Sequence, residues 1–572
     1  MKQEFDGARL EVLWSRLISI AQEQAKTLIR ASFTAVVAEM EDLACGIYDL
    51  AGNLIVQAPT GTPGILTGMS VGMKHMLRKF PVVALSPGDV LCCNDPWMIT
   101  GHKFDIAVAT PIFRGDHPVA VVATVLHGSD IGGITTAADS NSVYEEGLEI
   151  PILKLFRNGE RNEDLFEIIT ANVRTPEQAV GDLMAQVAAN AVCGHKLVEF
   201  MAEYDLTTLE PLSRAILATT ERAAKKAVTE LPDGIYHHES WADGIDEPLC
   251  VAATVTIRGT DLTVDFEGSS PQTRKGGINS VWNFTFAFTA HAVKSVLVPF
   301  LPNNDGLFRS FRMVAPEGTV INPSFPAPVM GRYVMVGPIS SAVFGALAKV
   351  APERALAESG RPAMLPLTGI DERGKPFVQW VHSVGGVGAR PTLDGYATTC
   401  YPGYVKMVPT EILEGRAPVL VCKKEIVMDS GGPGKYRGGC DQITILRFRE
   451  GAHGYVHCFS EGTKFPPLGY HGGVNGHCAE IAINGRGVIA KSKHALEAGD
   501  ELAYRCGGGG GYYNPIERDP QSVLDDVING CVSVASAIEH YKVAIDYNGK
   551  TINWEETARL RGTREELCPT KP

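Results

Sequence analysis

Several kinds of segment are missing from this 572-residue sequence. No apolar stretch approaches the ~20 residues that span a bilayer. The first residues, MKQEFDGARLEVLW, lack the charged-then-apolar layout of a secretion signal. No run of five basic residues occurs, and 52 Lys and Arg against 65 Asp and Glu leave a net charge of −13. Such a balance disfavours nucleic acid and anionic membranes as partners. The 13 cysteines contain no C-x-x-C; Cys92 and Cys93 are adjacent, which rarely makes a stable bridge. Reduced, mostly buried thiols are expected, and a thiolate zinc site is not. A nucleotide phosphate loop is also missing, because Gly549-Lys550-Thr551 has Ala544 where the first glycine belongs. Together these absences predict a cytoplasmic protein without nucleic-acid or membrane partners.

What is present is an ordinary globular mix, 45% hydrophobic and 20% charged, long enough for two to four domains. Sixty glycines and 35 prolines exceed the usual share and are spread along the chain, predicting many loops. Residues 8–40 carry helical periodicity in Leu10, Leu13, Trp14, Leu17, Ala21, Ala25 and Leu28. Leu43–Asp49 and Leu54–Gln57 read as a strand–turn–strand, and a helix is expected near Leu66–Phe80. Helical pattern returns over 163–230, strands and turns fill much of 235–330 around a helix with Phe284 and Phe288, and a final helix is expected around Pro520–Tyr541. The predicted class is α+β, multidomain, with mixed sheets and helices. The expected units are residues 1–230, a β-rich 231–410, and a Gly-rich 411–572.

The sharpest chemistry lies in 89–133. Asp105–Phe113 and Pro118–His127 read as a buried hairpin, preceded by His102 in a loop. If Arg114 and Pro118 close a three-residue loop, Asp105 faces His127 with Cβ atoms ~5 Å apart. A four-residue loop would turn Asp105 to the other face unless a bulge corrects it. Two imidazoles and a carboxylate suit Zn, Mn or Fe and leave positions open for substrate or water. On spacing alone two readings stand: a metal site, or a core histidine beside a turn-capping aspartate. Asp130 is either a carboxylate that orients a ligand or a turn residue before Gly132-Gly133. Asp42 is a further acidic candidate or a solvated charge at a helix end.

Other signals are weaker. Gly68-Met69-Ser70-Val71-Gly72 matches a nucleophile-elbow string, but a helix rather than a strand surrounds it, so Ser70 is expected to pack. His237-His238 and His471 read as surface or loop histidines. Gly507–Gly511 allows close backbone approach to a ligand, yet without a lysine a flexible turn is the better reading.

Several collinear motifs together resemble one family. They are Asn94-Asp95-Pro96-Trp97, Gly101-His102-x-x-Asp105-Ile106, His127-Gly128-Ser129-Asp130-Ile131-Gly132-Gly133, Asn141–Leu148, Pro302-Asn303-Asn304, Ser430–Gly439, and Gly507–Gly511 with Glu517-Arg518-Asp519-Pro520. The chain resembles the hydantoinase B family, which includes the B half of 5-oxoprolinase and the alpha-type subunits of acetone carboxylase. The resemblance implies a hetero-oligomer in which a hydantoinase A-like ATPase partner binds ATP and Mg and phosphorylates a carbonyl or enolate oxygen. This chain would hold a divalent metal through His102, Asp105 and His127 with Asp42 as a further ligand, and complete the reaction, with Asp130 orienting water or a ligand. The substrate would be a small cyclic amide, opened hydrolytically, or a ketone, carboxylated as its enolate; a non-catalytic scaffold role is the third reading. Many relatives have a His-containing loop where this chain reads Gly61–Leu66, and a second histidine where it has Gly128. The chain lacks the extra length associated with acetone carboxylase alpha subunits, which favours the hydrolase branch.

Overall fold

The structure, a computed structural model, describes residue 5 and residues 7–546, 548 and 550–562. Its N-terminal part is built on a seven-stranded antiparallel sheet, in the order Leu54–Gln57, Leu43–Tyr48, His117–His127, Asp105–Arg114, Val90–Cys93, Leu153–Arg157, Glu160–Arg161. Both faces of its central strands are covered, which explains why His117–His127 reads as a continuous apolar run rather than an alternation. Val122 and Leu126 pack with Leu13, Leu17, Ala189 and Leu197 of the helices Gly7–Ala31 and Pro176–Glu203. Val121, Ala123 and Val125 point the other way, onto Met69, Met73 and Ile65 of the helix Pro63–Lys79.

Three further sheets follow: Gly234–Ala242, Leu249–Arg258, Asp261–Asp265 and Arg312–Val314; Ala363–Ile370, Pro376–Ser383, His453–Phe459 and Lys491–Leu496; and a five-stranded sheet from Val419–Ile426 to Glu501–Arg505. The apolar helices Trp282–Leu297 and Val336–Ala348 pack together, and the second lies against the strands Gly234–Ala242 and Leu249–Arg258. One large apolar core runs from Ala35 to Tyr512 through all of these parts. The chain is therefore α+β in class, with several sheets and packed helices.

Two helices depart from the sequence reading. The first ends at Ala31 rather than near 40, because Asp182 captures the amide of Phe33 at 2.7 Å and the Thr34 hydroxyl at 2.6 Å, turning the chain. The expected helix over Pro520–Tyr541 is two, Pro520–Ile528 and Val534–Glu539, separated by Gly530 at φ 72° and restarted by the Ser533 cap.

Gly507–Gly511 is neither a ligand loop nor a flexible turn: all five glycines are buried. Gly509 N donates to Gly439 O at 2.9 Å and Gly509 O accepts from Gly432 N at 2.8 Å. Gly510 N donates to Glu358 O at 2.8 Å, and Gly511 N to Val474 O at 2.9 Å. A Cβ on Gly509 would overlap the Val387 carbonyl, and one on Gly510 the Leu468 carbonyl. The run is the filament of a bundle of backbones with no room for side chains.

Candidate metal centre

The hairpin brings the predicted residues together by a slightly different route. Arg114 pairs with His117, leaving Gly115-Asp116 as a two-residue turn, one residue tighter than expected. Ile112 then pairs with Ala120 and Phe113 with Pro118, so Val119 bulges out of the ladder. That bulge restores the register and sets Asp105 opposite His127.

His102 reaches the same point from the preceding loop. Its Nδ1 lies 3.2 Å from the Met330 carbonyl, which only accepts, so Nδ1 carries the proton and the lone pair sits on Nε2. That Nε2 lies 2.9 Å from Asp105 Oδ1. Two facing lone pairs repel unless a proton or cation stands between them. A proton is disfavoured, since burial and the nearby Arg332 charge lower the His102 pKa. His127 is pushed down to about 3 by burial and by His102. His102 Nε2, Asp105 Oδ1 and His127 Nδ1 are all buried without a hydrogen-bond partner, and the three residues offer ligand atoms within 4.8 Å of one another. Two imidazoles and a carboxylate, each with a buried unpartnered atom and with ligand atoms within 4.8 Å of one another, fit a divalent cation, and the N2O donor set suits Zn, Mn or Fe.

The surrounding groups fix each of these side chains. Asp105 Oδ2 accepts from Thr100 Oγ1 at 2.6 Å and from Arg332, which leaves Oδ1 facing the imidazoles. Burial opposes the Asp105 charge, yet His102, Arg332 and His127 hold it well below the usual carboxylate range. The Arg332 guanidinium is buried and lies 3.8 Å from the Phe284 ring centroid. The His127 ring is stacked on Phe104 at 5.2 Å and meets the edge of Trp380 at 5.0 Å.

Asp42 is buried rather than solvated, and stands beside the triad. It lines the same cavity, accepts from Thr62 Oγ1 at 3.1 Å, and is pushed up to about 7 by burial and the Asp105 charge. Asp130 lies outside that cavity lining: its carboxylate accepts from Gly132 N and from the backbone and side chain of Arg174, so its geometry is that of the turn residue. The cavity, about 70 Å³, is lined by Asp42, His102, Asp105, His127 and Arg332. Its walls are Ile65, Phe284, Phe288, Val336, Met364 and Val405.

Of the remaining candidates, Ser70 packs within a helix and donates to Asp305 Oδ2 at 2.8 Å. His237 and His238 lie on the strand Gly234–Ala242 rather than in a loop; His237 is exposed, and His238 is half-buried against Tyr470. Nine of the twelve described cysteines are buried, and all twelve are free. Arg332, Thr100 and Trp380 escaped the sequence reading. Each acts on a residue of the triad more than 200 residues away or from inside a loop with no periodicity, and only tertiary packing marks them.

Residues 6–515 match the hydantoinase B/oxoprolinase family model. The chain belongs to that family. Among its relatives, the caprolactamase beta subunit of Pseudomonas jessenii is 29% identical over 95% of this chain and 97% of its own. The crystal structure of the ATP-dependent caprolactamase from that organism superposes with a TM-score of 0.88 at 26% identity, covering 98% of this chain and 100% of that one. The 5-oxoprolinase of Dictyostelium discoideum is 27% identical over 89% of this chain but only 40% of its own length. A nucleotide-free acetone carboxylase structure shares the fold, with a TM-score of 0.86 at 20% identity over 97% of this chain and 82% of that one. As a member of the hydantoinase B/oxoprolinase family, the chain is thus similar to subunits of ATP-dependent hydrolases. No helix among the described residues is long and apolar enough to cross a membrane.

Proposed function

We propose that this chain is the metal-binding catalytic subunit of an ATP-dependent cyclic amide hydrolase. It acts on a substrate whose carbonyl oxygen has been phosphorylated by a hydantoinase A-like ATPase partner. The observation that carries this reading is the cluster of His102, Asp105 and His127, each with a buried unpartnered atom, lining a largely apolar cavity. We assign these three as ligands and Asp42, on the same cavity wall, as the fourth.

A lactam resists hydrolysis because its nitrogen is a poor leaving group, and O-phosphorylation turns the carbonyl carbon into an activated imidate. A divalent cation held by this set supplies Lewis acidity and lowers the pKa of water. The chain's own residues prepare for that. The Met330 carbonyl fixes the His102 tautomer, and Thr100 and Arg332 aim the Asp105 carboxylate. Phe104 and Trp380 hold the His127 ring and exclude bulk water. Arg332 keeps a fixed positive charge beside the site as anionic charge develops on a phosphorylated substrate. The apolar walls suit a small ring with little charge of its own.

Support for a partner comes from the relatives: one is itself a beta subunit, and in the longer 5-oxoprolinase this chain's match is one part of a larger polypeptide. The ketone carboxylase reading rests on a shared fold alone. Metal analysis of the purified protein and of His102→Ala, then ATP turnover by the co-purified complex with lactams or hydantoins against ketones plus bicarbonate, tests the proposal. Stoichiometric metal lost in the variant, and stimulation by the cyclic amides, are expected. Substoichiometric metal unchanged by the substitution, or stimulation by ketone plus bicarbonate alone, refutes it.

A further inference from the structure

The stretch Asn141–Leu148 supplies no member of the triad, yet its Glu146 reaches the backbone that aims it. Glu146 ends the short turn Val143–Glu146 and is 1% exposed. Its Oε1 accepts from Val329 N at 2.8 Å, from Met330 N at 2.9 Å and from Ser140 Oγ at 2.7 Å. Val329–Arg332 is itself a tight turn, in which Arg332 N donates to Val329 O at 3.1 Å and Gly331 N to Gly277 O at 2.8 Å. Every amide of that turn is therefore held, the first two by Glu146. The turn delivers two groups to the site: the Met330 carbonyl receives His102 Nδ1 at 3.2 Å, and the Arg332 guanidinium donates to Asp105 Oδ2. The loop carrying Glu146 is also tied to the one before Asp105. Buried Lys103 donates from Nζ to Gly147 O at 2.9 Å, and Asn94 Nδ2 donates to Lys103 O at 2.7 Å and to Leu148 O at 3.0 Å.

We propose that Glu146 is a positioning residue of the metal centre: by gripping the Val329 and Met330 amides it sets the turn that orients both His102 and Asp105. The inference rests on the metal reading above and not on the choice of substrate. For stability alone the arrangement is poor. Glu146 Oε2 is buried with no partner, and an unsatisfied buried polar atom carries a cost that an apolar side chain avoids. Local costs of this kind collect at functional sites. The geometry gives this one a task. A ligating imidazole depends on the acceptor behind it for its tautomer and ring angle. If the Met330 carbonyl turns away, His102 Nδ1 loses the partner that keeps the lone pair on Nε2. The same movement withdraws Arg332 and leaves Asp105 free to rotate. One carboxylate thus acts on two of the three triad members without a hydrogen bond to either.

The test is the Zn²⁺ affinity of the full chain, by competition with a chromogenic chelator, alongside unfolding in EDTA and the visible spectrum of the Co²⁺-loaded protein. Glu146→Ala is expected to weaken Zn²⁺ binding about 10–100-fold and to shift the Co²⁺ bands, which report ligand geometry. Glu146→Gln keeps an acceptor oxygen for both amides and is expected to bind within about threefold of the wild type. Glu146→Asp keeps the charge but withdraws the carboxylate by one methylene, and its affinity is expected to fall between the two. Asp89→Ala is the control for stability alone. Asp89 is another buried carboxylate that accepts from two backbone amides, Ser86 N at 2.8 Å and Asn158 N at 3.1 Å, and it does not line the cavity. Its loss is expected to lower the unfolding midpoint and leave Zn²⁺ affinity unchanged. Unchanged affinity in Glu146→Ala or, should that variant not fold, in Glu146→Asp overturns the role of Glu146. So does an equal loss in Glu146→Gln and Glu146→Ala, or the same loss in Asp89→Ala. A wild type that binds no Zn²⁺ instead overturns the metal reading beneath it.

Discussion

Replacing His127 with phenylalanine is expected to have opposite effects on stability with and without metal. His127 sits between Phe104 and Trp380, in surroundings that suit any aromatic ring, and its Nδ1 is buried without a partner. Leaving one buried polar atom unsatisfied costs roughly 1–3 kcal/mol. Phenylalanine keeps the ring between its neighbours, removes that atom, and can expand into the adjoining cavity of about 70 Å³. In chelator, the variant is therefore expected to be more stable than the wild type by about 1–3 kcal/mol. With free cation at 1,000 times its dissociation constant, the wild type gains about 4 kcal/mol by mass action. The variant, stripped of one of the four assigned ligands, gains little. The order of the two unfolding midpoints should therefore reverse between EDTA and saturating Mn or Zn, read by scanning fluorimetry and chemical denaturation. A variant that is less stable than the wild type by the same amount in both conditions would refute the reasoning. So would a wild type whose midpoint does not move with metal.

Other outcomes follow from the same geometry. Arg332→Lys keeps the charge but loses the planar fork that turns Asp105, so metal affinity is expected to fall about 10–100-fold, measured by competition with a chromogenic chelator. Gly509→Ala places a Cβ on the Val387 carbonyl, whereas Gly487→Ala meets open space. The first is expected to cost about 3 kcal/mol or more, or to abolish soluble expression, and the second to stay within about 0.5 kcal/mol in denaturant titration. His457 is buried, with its ring nitrogens at 2.5 Å from Thr136 Oγ1 and 2.8 Å from Thr368 Oγ1, and burial followed by the charges of Lys493 and Arg174 pulls it down to about 4. Its unfolded value near 6.5 lies above this, so its neutral form contributes stability that is present above pH 6.5 and lost as pH falls towards 4. The stability advantage of the wild type over His457→Gln should shrink by about 2 kcal/mol between pH 7 and 5, and an advantage that stays flat would contradict the assignment.

How much of this was readable before folding differs by element. The hairpin was legible because its apolar strands, Gly-containing turn and ladder arithmetic are local, although the tighter turn and the Val119 bulge cancel in a way that arithmetic cannot separate. His102, Asp105 and His127 carried a motif, whereas Arg332 and Met330 arrive from a loop more than 200 residues downstream with no periodicity to announce them. Asp42 looked like a helix-end charge because exposure is a tertiary property; burial is imposed by Thr62 and by the loop around Lys406. The glycine run misled because sequence rules treat glycine as freedom, and here it serves as the absence of a side chain. The first helix broke early because Asp182, on another helix, competes for its backbone amides.

The glycine bundle also bears on how the chain is made. Its filament, Gly507–Gly511, is synthesised after most of the segments it binds, which begin as far back as Glu358 and Gly386. At about 5–20 residues per second, roughly 8–30 s separates the first of these strands from the filament that they surround. During that interval glycine-rich backbones offer neither apolar side chains to collapse nor partners for their amides. The C-terminal half is therefore expected to wait on the ribosome, open and dependent on chaperones, while the N-terminal sheet, with all four assigned metal ligands already emerged, can fold ahead of it. A ribosome stalled just before residue 507 should carry a protease-resistant front and a protease-sensitive rear.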